Sequence, residues 1–242
     1  MDDFLLNELV PNDPQLTQCY HNLGNIAAMT EEYDKAFCYL SKALELDLKT
    51  VPIDDSSTGI TYMTIGNVYQ LKEDYENALI YYRKALDLKL KPVGQIDLET
   101  TTIYMNIGIA YWRLRNYDSA VENLNECLRV RATIYPEAHP DLAETLVNIG
   151  LVEKARGEYA NALSLYNKAL EIQLTCLPEN HPHQAATYMN IGAVQGEYDQ
   201  NYESALASFD RALNIFRISM PPSHVYIQIA EENIEEIRGK MA

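Results

Sequence analysis

Apolar side chains recur at helical spacing along the whole chain, as in Tyr62, Ile65, Tyr69 and again in Tyr104, Ile107, Tyr111. A period of three to four residues is the mark of one buried helical face. Each such stretch contains a glycine, and Gly24, Gly66, Gly108, Gly150 and Gly192 stand 42 residues apart. The phrase around them repeats: Asn22-Leu23-Gly24, Thr64-Ile65-Gly66, Asn106-Ile107-Gly108, Asn148-Ile149-Gly150 and Asn190-Ile191-Gly192. Twelve residues after each glycine comes an alanine (Ala36, Ala78, Ala120, Ala162, with Ala205 one residue late), and seven residues further a second small side chain (Ala43, Ala85, Cys127, Ala169, Ala212). Seven residues are two helical turns, so both small residues lie on one face of a second helix that a neighbour can approach closely.

Between the two helices falls a short polar turn ending in tyrosine (Tyr33, Tyr75, Tyr117, Tyr159, Tyr202), predicted to pack the helix–helix corner. The second helix stops at a proline: Pro52, Pro136, Pro178 and Pro221 hold equivalent positions and Pro92 lies two residues early, whereas Pro140 and Pro182 suit the first turn of the next helix. A fixed period of this size means one supersecondary unit stacked many times. The expected fold is all-α, an α-α solenoid: a superhelical stack of antiparallel helix pairs at about 17–58, 59–100, 101–142, 143–184 and 185–227, with a capping helix over 228–238. Residues 1–13 read as the remnant of a preceding helix and link, and the whole of 1–242 as a single array. The fifth repeat departs from the pattern through Gly196 and Asp199-Gln200-Asn201, which predicts a local irregularity.

Acidic side chains outnumber basic ones 35 to 19, for a formal net charge of −16. That field repels nucleic acid, whose binders present a basic face, and favours basic ligands at long range. The amino terminus lacks a basic n-region, and no apolar run approaches membrane-spanning length, so neither export nor membrane insertion is expected. Cys19, Cys38, Cys127 and Cys176 form no C-x-x-C pair, which fits a cytoplasmic location. Cys127 occupies a column otherwise filled by alanine and reads as a packing residue.

Phosphate-binding loops, nucleophile elbows, metalloprotease helices and dinucleotide fingerprints are all missing from the chain. The expectation is a protein that is not an enzyme and needs no cofactor or metal. His139, His181 and His224 recur in register, but successive layers of helix pairs are separated by about 10 Å, too far for one ion, and these residues are predicted to serve the links and helix starts.

Tyr104-x-x-Ile107-Gly108-x-x-Tyr111 followed by Ala120, with Ala78-x-x-x-Tyr82 and Ala205-x-x-x-Phe209, resembles the tetratricopeptide repeat (TPR) pattern. The 42-residue version, with Asn-Ile-Gly in the first helix and an Asn-His-Pro link, is similar to the repeats of kinesin light chains and related animal proteins. This resemblance covers about residues 11 to 238 and implies a cargo-binding array, although the heptad region of kinesin light chains is absent here. It also implies that the first helix of each pair lines a concave groove.

Positions carried over on that basis place Asn22, Asn25, Met63, Asn67, Met105, Asn106, Trp112, Arg113, Asn148, Leu151, Lys154, Met189 and Asn190 in the groove, with Asn233 on the cap. An asparagine side chain offers one acceptor and two donors, so this ladder either clamps the backbone of an extended peptide or braces neighbouring helices. Methionine gives soft apolar surface, and tryptophan is enriched at binding hot spots. The central patch comprises Asn106, Trp112, Arg113, Asn148 and Lys154.

The leading expectation is a scaffold or adaptor for a protein or peptide partner, working as a monomer. Alternatives are the regulatory region of a larger enzyme, since related arrays are joined to ADP-ribosyltransferase modules, or of a motor complex, and a homo-oligomeric scaffold. The TPR arrays that grip acidic chaperone tails use lysines and an arginine where this chain has His21, Asn25, Thr64, Thr102 and Asn106. Calorimetry with such a tail peptide should therefore show no binding, and micromolar affinity would contradict the assignment.

Overall fold

The computed structural model describes residues 14–49, 55–90, 97–198 and 200–241. The proposed stub within 1–13, Pro52, Pro92 and Asp199 lie outside them. Among the described residues there are eleven α-helices and no strands. They are α1 (Pro14–Met29), α2 (Tyr33–Lys49), α3 (Asp55–Leu71), α4 (Tyr75–Leu90), α5 (Leu98–Arg113), α6 (Tyr117–Ile134), α7 (Pro140–Arg156), α8 (Tyr159–Cys176), α9 (Pro182–Glu197), α10 (Tyr202–Ser219) and α11 (Val225–Met241). The chain divides into two compact units, residues 1–123 and 124–242.

In the first unit α1 pairs with α2 and α3 with α4, and α5 packs on α4. In the second, α7 pairs with α8 and α9 with α10, and α11 closes against α10. The cores are local. Ala36, Leu40, Ile65 and Val68 form one cluster of the first unit, and Ala78, Tyr82, Ile103 and Ile107 another. In the second unit Ala162, Tyr166, Ile191 and Val194 pack together, and Phe209, Phe216, Ile227, Ile234 and Ile237 seat the last helix.

The repeated glycine sits where the two helices of a pair come closest. A Cβ on Gly66 would lie 2.5 Å from the Tyr82 ring, and one on Gly150 2.5 Å from Tyr166. Leu40 stands 2.8 Å from the same point on Gly24, and Phe209 2.8 Å from that on Gly192. A side chain on the first helix would thus occupy space already filled by the second.

The turn between paired helices has a fixed construction. The residue seven after the glycine adopts a left-handed conformation: Glu31, Glu73 and Arg115 with φ near 60° and Gly157 with φ 92°. Its amide and the next one bond back to the closing turn of the helix, as in Glu73 N to Gln70 O at 3.0 Å and Asp74 N to Tyr69 O at 2.9 Å, which is the Schellman arrangement. In the fifth repeat the left-handed residue is Gln200, one place late, and Asn201 N reaches back to Gln195 O instead, so the extra residue widens the turn.

The tyrosines that open the second helices do more than pack a corner. Tyr33 donates its hydroxyl to Leu71 O at the end of α3, Tyr75 accepts from Arg113 Nε at the end of α5, and Tyr159 stacks on Tyr198 just past α9. Each packs against the core of its own helix pair and also reaches the following repeat, a contact the sequence reading did not include.

A polar column reinforces these junctions. Asp47, buried to 3% exposure, accepts hydroxyl bonds from Ser57 and Thr61, each 2.6 Å. Lys89 pairs with Glu99, Arg131 bonds Asp141 O, Glu144 and Thr145, and Gln173 accepts from Thr187 at 2.9 Å. These four lie one period apart in the chain, and the corresponding place at the last junction holds Phe216.

Gly66→Ala should destabilise the chain by about 1–3 kcal/mol through overpacking against Tyr82, although alanine is the better helix former by about 1 kcal/mol. Gly239 in α11 has nothing within 4 Å of its would-be Cβ, and Gly239→Ala should be neutral or stabilising. Urea denaturation of both variants checks the contrast.

Candidate functional site

Several of the expected groove residues are tied to the protein itself. In the first unit Asn67 Oδ1 accepts from Tyr82 Oη at 2.9 Å and from Asn106 Nδ2 at 3.1 Å, joining α3, α4 and α5. Arg113 donates to Tyr75 Oη at 2.9 Å, stacks on that ring and faces Glu73 at 3.6 Å. Met105 is buried at 7% exposure and presents no surface to a ligand, contrary to its assignment to the groove; it stands among the packed helices. Met63 and Trp112 are half-buried. Asn22 and Asn25 are exposed, Asn22 accepting from Gln18 at 3.1 Å.

His21 and Thr64 face the interior as well. His21 Nε2 lies 2.5 Å from Thr61 Oγ1, beside buried Asp47, and burial holds its pKa below the ordinary histidine value. Thr64 satisfies its hydroxyl on Ile60 O.

In the second unit Asn148 Nδ2 donates to Glu144 O one turn back at 3.1 Å. Lys154 is paired with Glu197 Oε1 at 3.1 Å, and Leu151 packs against the core around Tyr166. Tyr166 is the counterpart of Tyr82, but its hydroxyl is buried without a partner among the described residues. The cause is the exchange of Asn67 and Gln70 for Leu151 and Lys154 at the matching positions. Burial raises the pKa of both phenols far above the ordinary tyrosine value.

Met189 and Asn190 come together with residues the sequence had not assembled. They line a cleft of about 350 Å³ with Ala186, Ala193, Phe216, Tyr226, Ile229 and Asn233. α9 supplies one wall, α11 the other, and Phe216 at the end of α10 the floor. Tyr226 and Ile229 are 49% and 38% exposed, so the apolar wall of α11 faces solvent. Neither Asn190 nor Asn233 has a side-chain hydrogen-bond partner among the described residues, so two unbonded amides line an otherwise apolar cleft. A smaller cavity of about 60 Å³ continues from Ala193 and Asn233 to Glu197, Glu236 and Lys240. The cleft was hard to foresee because Phe216 lies on a second helix, outside the pattern used to select groove residues; the exposed pair Tyr226 and Ile229 was its visible signal.

Histidine and cysteine positions read structurally. His139 and His181 cap α7 and α9, each accepting through Nδ1 from the amide two residues on at 3.2 Å, and His224 does the same for Tyr226 at 3.3 Å. Pro140 and Pro182 occupy the first turns of those helices. Cys127 is buried, and that burial pushes its thiol pKa up, away from a reactive thiolate. Among the described residues no cluster of three or more metal-ligating side chains occurs, and no helix is long and apolar enough to cross a membrane.

A stack of helix pairs closed by a Schellman turn and a left-handed residue defines an α-solenoid repeat protein. The tetratricopeptide repeat family matches residues 17–50, 57–133, 99–175 and 141–218, and the chain belongs to that family. No curated protein sequence matches it. Among solved structures it is similar to BtubC (BKLC) from P. vanneervenii, with TM-score 0.81 and 22% identity over 91% of this chain and 88% of that one. It is similar also to the nearly identical TPR-like repeats of a putative kinesin light chain from Podosopora anserina, with TM-score 0.73 and 17% identity over 86% and 98%. YrrB, a TPR protein with an unusual peptide-binding site, superposes with TM-score 0.55 at 25% identity over 88% and 90%.

Tyr82→Phe should cost about 1 kcal/mol, the net worth of an ordinary hydrogen bond, whereas Tyr166→Phe should be neutral or stabilising because its hydroxyl is unpaired. Parallel chemical denaturation of the two variants tests this reading of the exchanged neighbours.

Proposed function

We propose that this chain is a non-enzymatic scaffold or adaptor that holds an extended peptide segment of a partner protein on the surface of its first helices. TPR folds serve generally as interaction scaffolds, and the carrying observation is the cleft between α9 and α11. There, Asn190 and Asn233 leave amide donors and acceptors unused beside the apolar surface of Met189, Phe216 and Ile229. An extended backbone running between the two amides satisfies both, and one of its side chains fills the floor. The exposed Asn22 and Asn25, with the half-buried Trp112, are secondary contact points on the first unit. Asn67, Asn106, Arg113 and Lys154 serve chiefly as braces. Four free cysteines, two of them exposed, support work in the reducing cytoplasm. YrrB's peptide-binding site is a parallel for a TPR fold holding a peptide.

Panning a random peptide display library against the chain tests this reading. The enriched peptides should bind Asn190→Ala/Asn233→Ala at least tenfold more weakly, with the melting temperature unchanged within about 3 °C, a shift of about 1 kcal/mol at most for half-buried amides that make no hydrogen bond. Asn67→Ala should instead lower stability by about 1–2 kcal/mol, since it removes a doubly used acceptor. Equal peptide binding to the parent chain and the Asn190/Asn233 variant would overturn the proposal.

A further inference from the structure

The rim of the cleft carries a charge pattern that narrows its ligand. Ile229, Glu232, Asn233 and Glu236 fall three, four and seven residues apart on α11, so they share one side of that helix. Ile229 and Asn233 line the cleft, and Glu236 lines the smaller cavity that continues it. Glu236 is held by Lys240 at 2.5 Å, and Glu231, further round the helix, is held by Arg217 at 2.6 Å. Glu232 is exposed and has no ion-pair partner among the described residues. An apolar pocket therefore opens beside a free carboxylate, on a chain whose net charge is −16.

Resting on the reading above, we propose that the cleft selects one class of segment: an extended peptide that places a bulky apolar side chain against Phe216, Met189 and Ile229, with a lysine or arginine within three residues of it, paired with Glu232. The spacing follows from the helix. Glu232 lies about 4.5 Å and Glu236 about 10.5 Å along the axis from Ile229 at 1.5 Å per residue, and an extended ligand advances about 3.3 Å per residue. The volume of about 350 Å³ is ample for one large apolar side chain. An acidic segment meets Glu232 and the field of the whole chain, and the apolar floor then gives it no compensating contact.

The probe is a set of fluorescent, amino-acetylated and carboxy-amidated nonapeptides in a Gly/Ser/Thr background. A central Phe or Ala is combined with Lys, Glu or Ser one, two or three places to either side, and binding to the full chain is read by anisotropy. At least one Phe/Lys peptide should bind tenfold or more tighter than its Phe/Glu counterpart in low salt, and the gap should shrink as salt screens the pair. The Ala/Lys peptides should bind at least tenfold more weakly than their Phe counterparts. Glu232→Lys should reverse the preference toward Phe/Glu, while Glu235→Lys, on another side of α11, should leave it in place; both positions are exposed, so melting should be unchanged.

Phe/Glu binding equal to Phe/Lys, or an unaltered preference in Glu232→Lys, overturns the charge assignment. If binding still needs the Phe and is lost in Ile229→Glu, the peptide-binding function stands and only this inference fails. If no peptide binds, or Ile229→Glu binds them all unchanged, both fail. A dimer in light scattering that Ile229→Glu dissociates would make the cleft a contact between two copies and overturn the proposal as well.

Discussion

The close approach of paired helices at a single glycine is the constraint on which the other features depend. Where Tyr82 or Tyr166 fills the space a Cβ would need on Gly66 or Gly150, the two helices lie nearer than ordinary side chains allow. The glycines cost helix propensity, and the buried rings offset it with apolar contact. Once that contact is made, one side of the first helix is committed to its partner. The junction to the next repeat commits a second side, through Asp47, Arg131 or Gln173 and the tyrosine that opens the second helix. What remains is a strip carrying the positions two before and one after the glycine.

That strip is used differently along the chain. Where a tyrosine ring reaches through from the second helix, Asn67 and Gln70 receive its hydroxyl and Asn106 ties in the next repeat, so amides become mortar. Where the ring is Phe209, no hydroxyl arrives, and Ala193 stands where Asn67 stands in the second repeat. By the Asn106–Asn67 pattern the partner of Asn190 would stand at Leu151 and that of Asn233 at Ala193, so neither amide finds that bond. Ala193, small where the second repeat has Asn67, lines the cleft between α9 and α11. On the proposed reading, binding capacity belongs to the place where bracing stops.

Much of this was legible in the residues. Pro140 and Pro182 open α7 and α9, the histidines before them cap those helices, and His224 does the same for the last one, because these are local rules; the cap helix, expected over 228–238, runs Val225–Met241. The tyrosine column was legible as corner packing, but its second contact with the next repeat was not, since a corner and a junction lie within one side chain's reach and periodicity does not distinguish them. Assigning Met105 to the groove failed for a related reason: a strip chosen by register ignores how deeply each helix is sunk, and Met105 is covered where Met189 is not. The junction column of Asp47, Lys89, Arg131 and Gln173 had a signal, polar residues at one fixed offset on an otherwise apolar helix face. Phe216, the cleft's floor, hid in that same column as an ordinary core residue.

The central claim is that a peptide lies on the strip left open between α9 and α11. Hydrogen exchange of the full chain, with and without a saturating Phe/Lys nonapeptide, measures it most directly. The account predicts slowed exchange confined to residues around 186–193 and 226–233. Protection confined to the second helices, or none at all with the peptide bound, would contradict it.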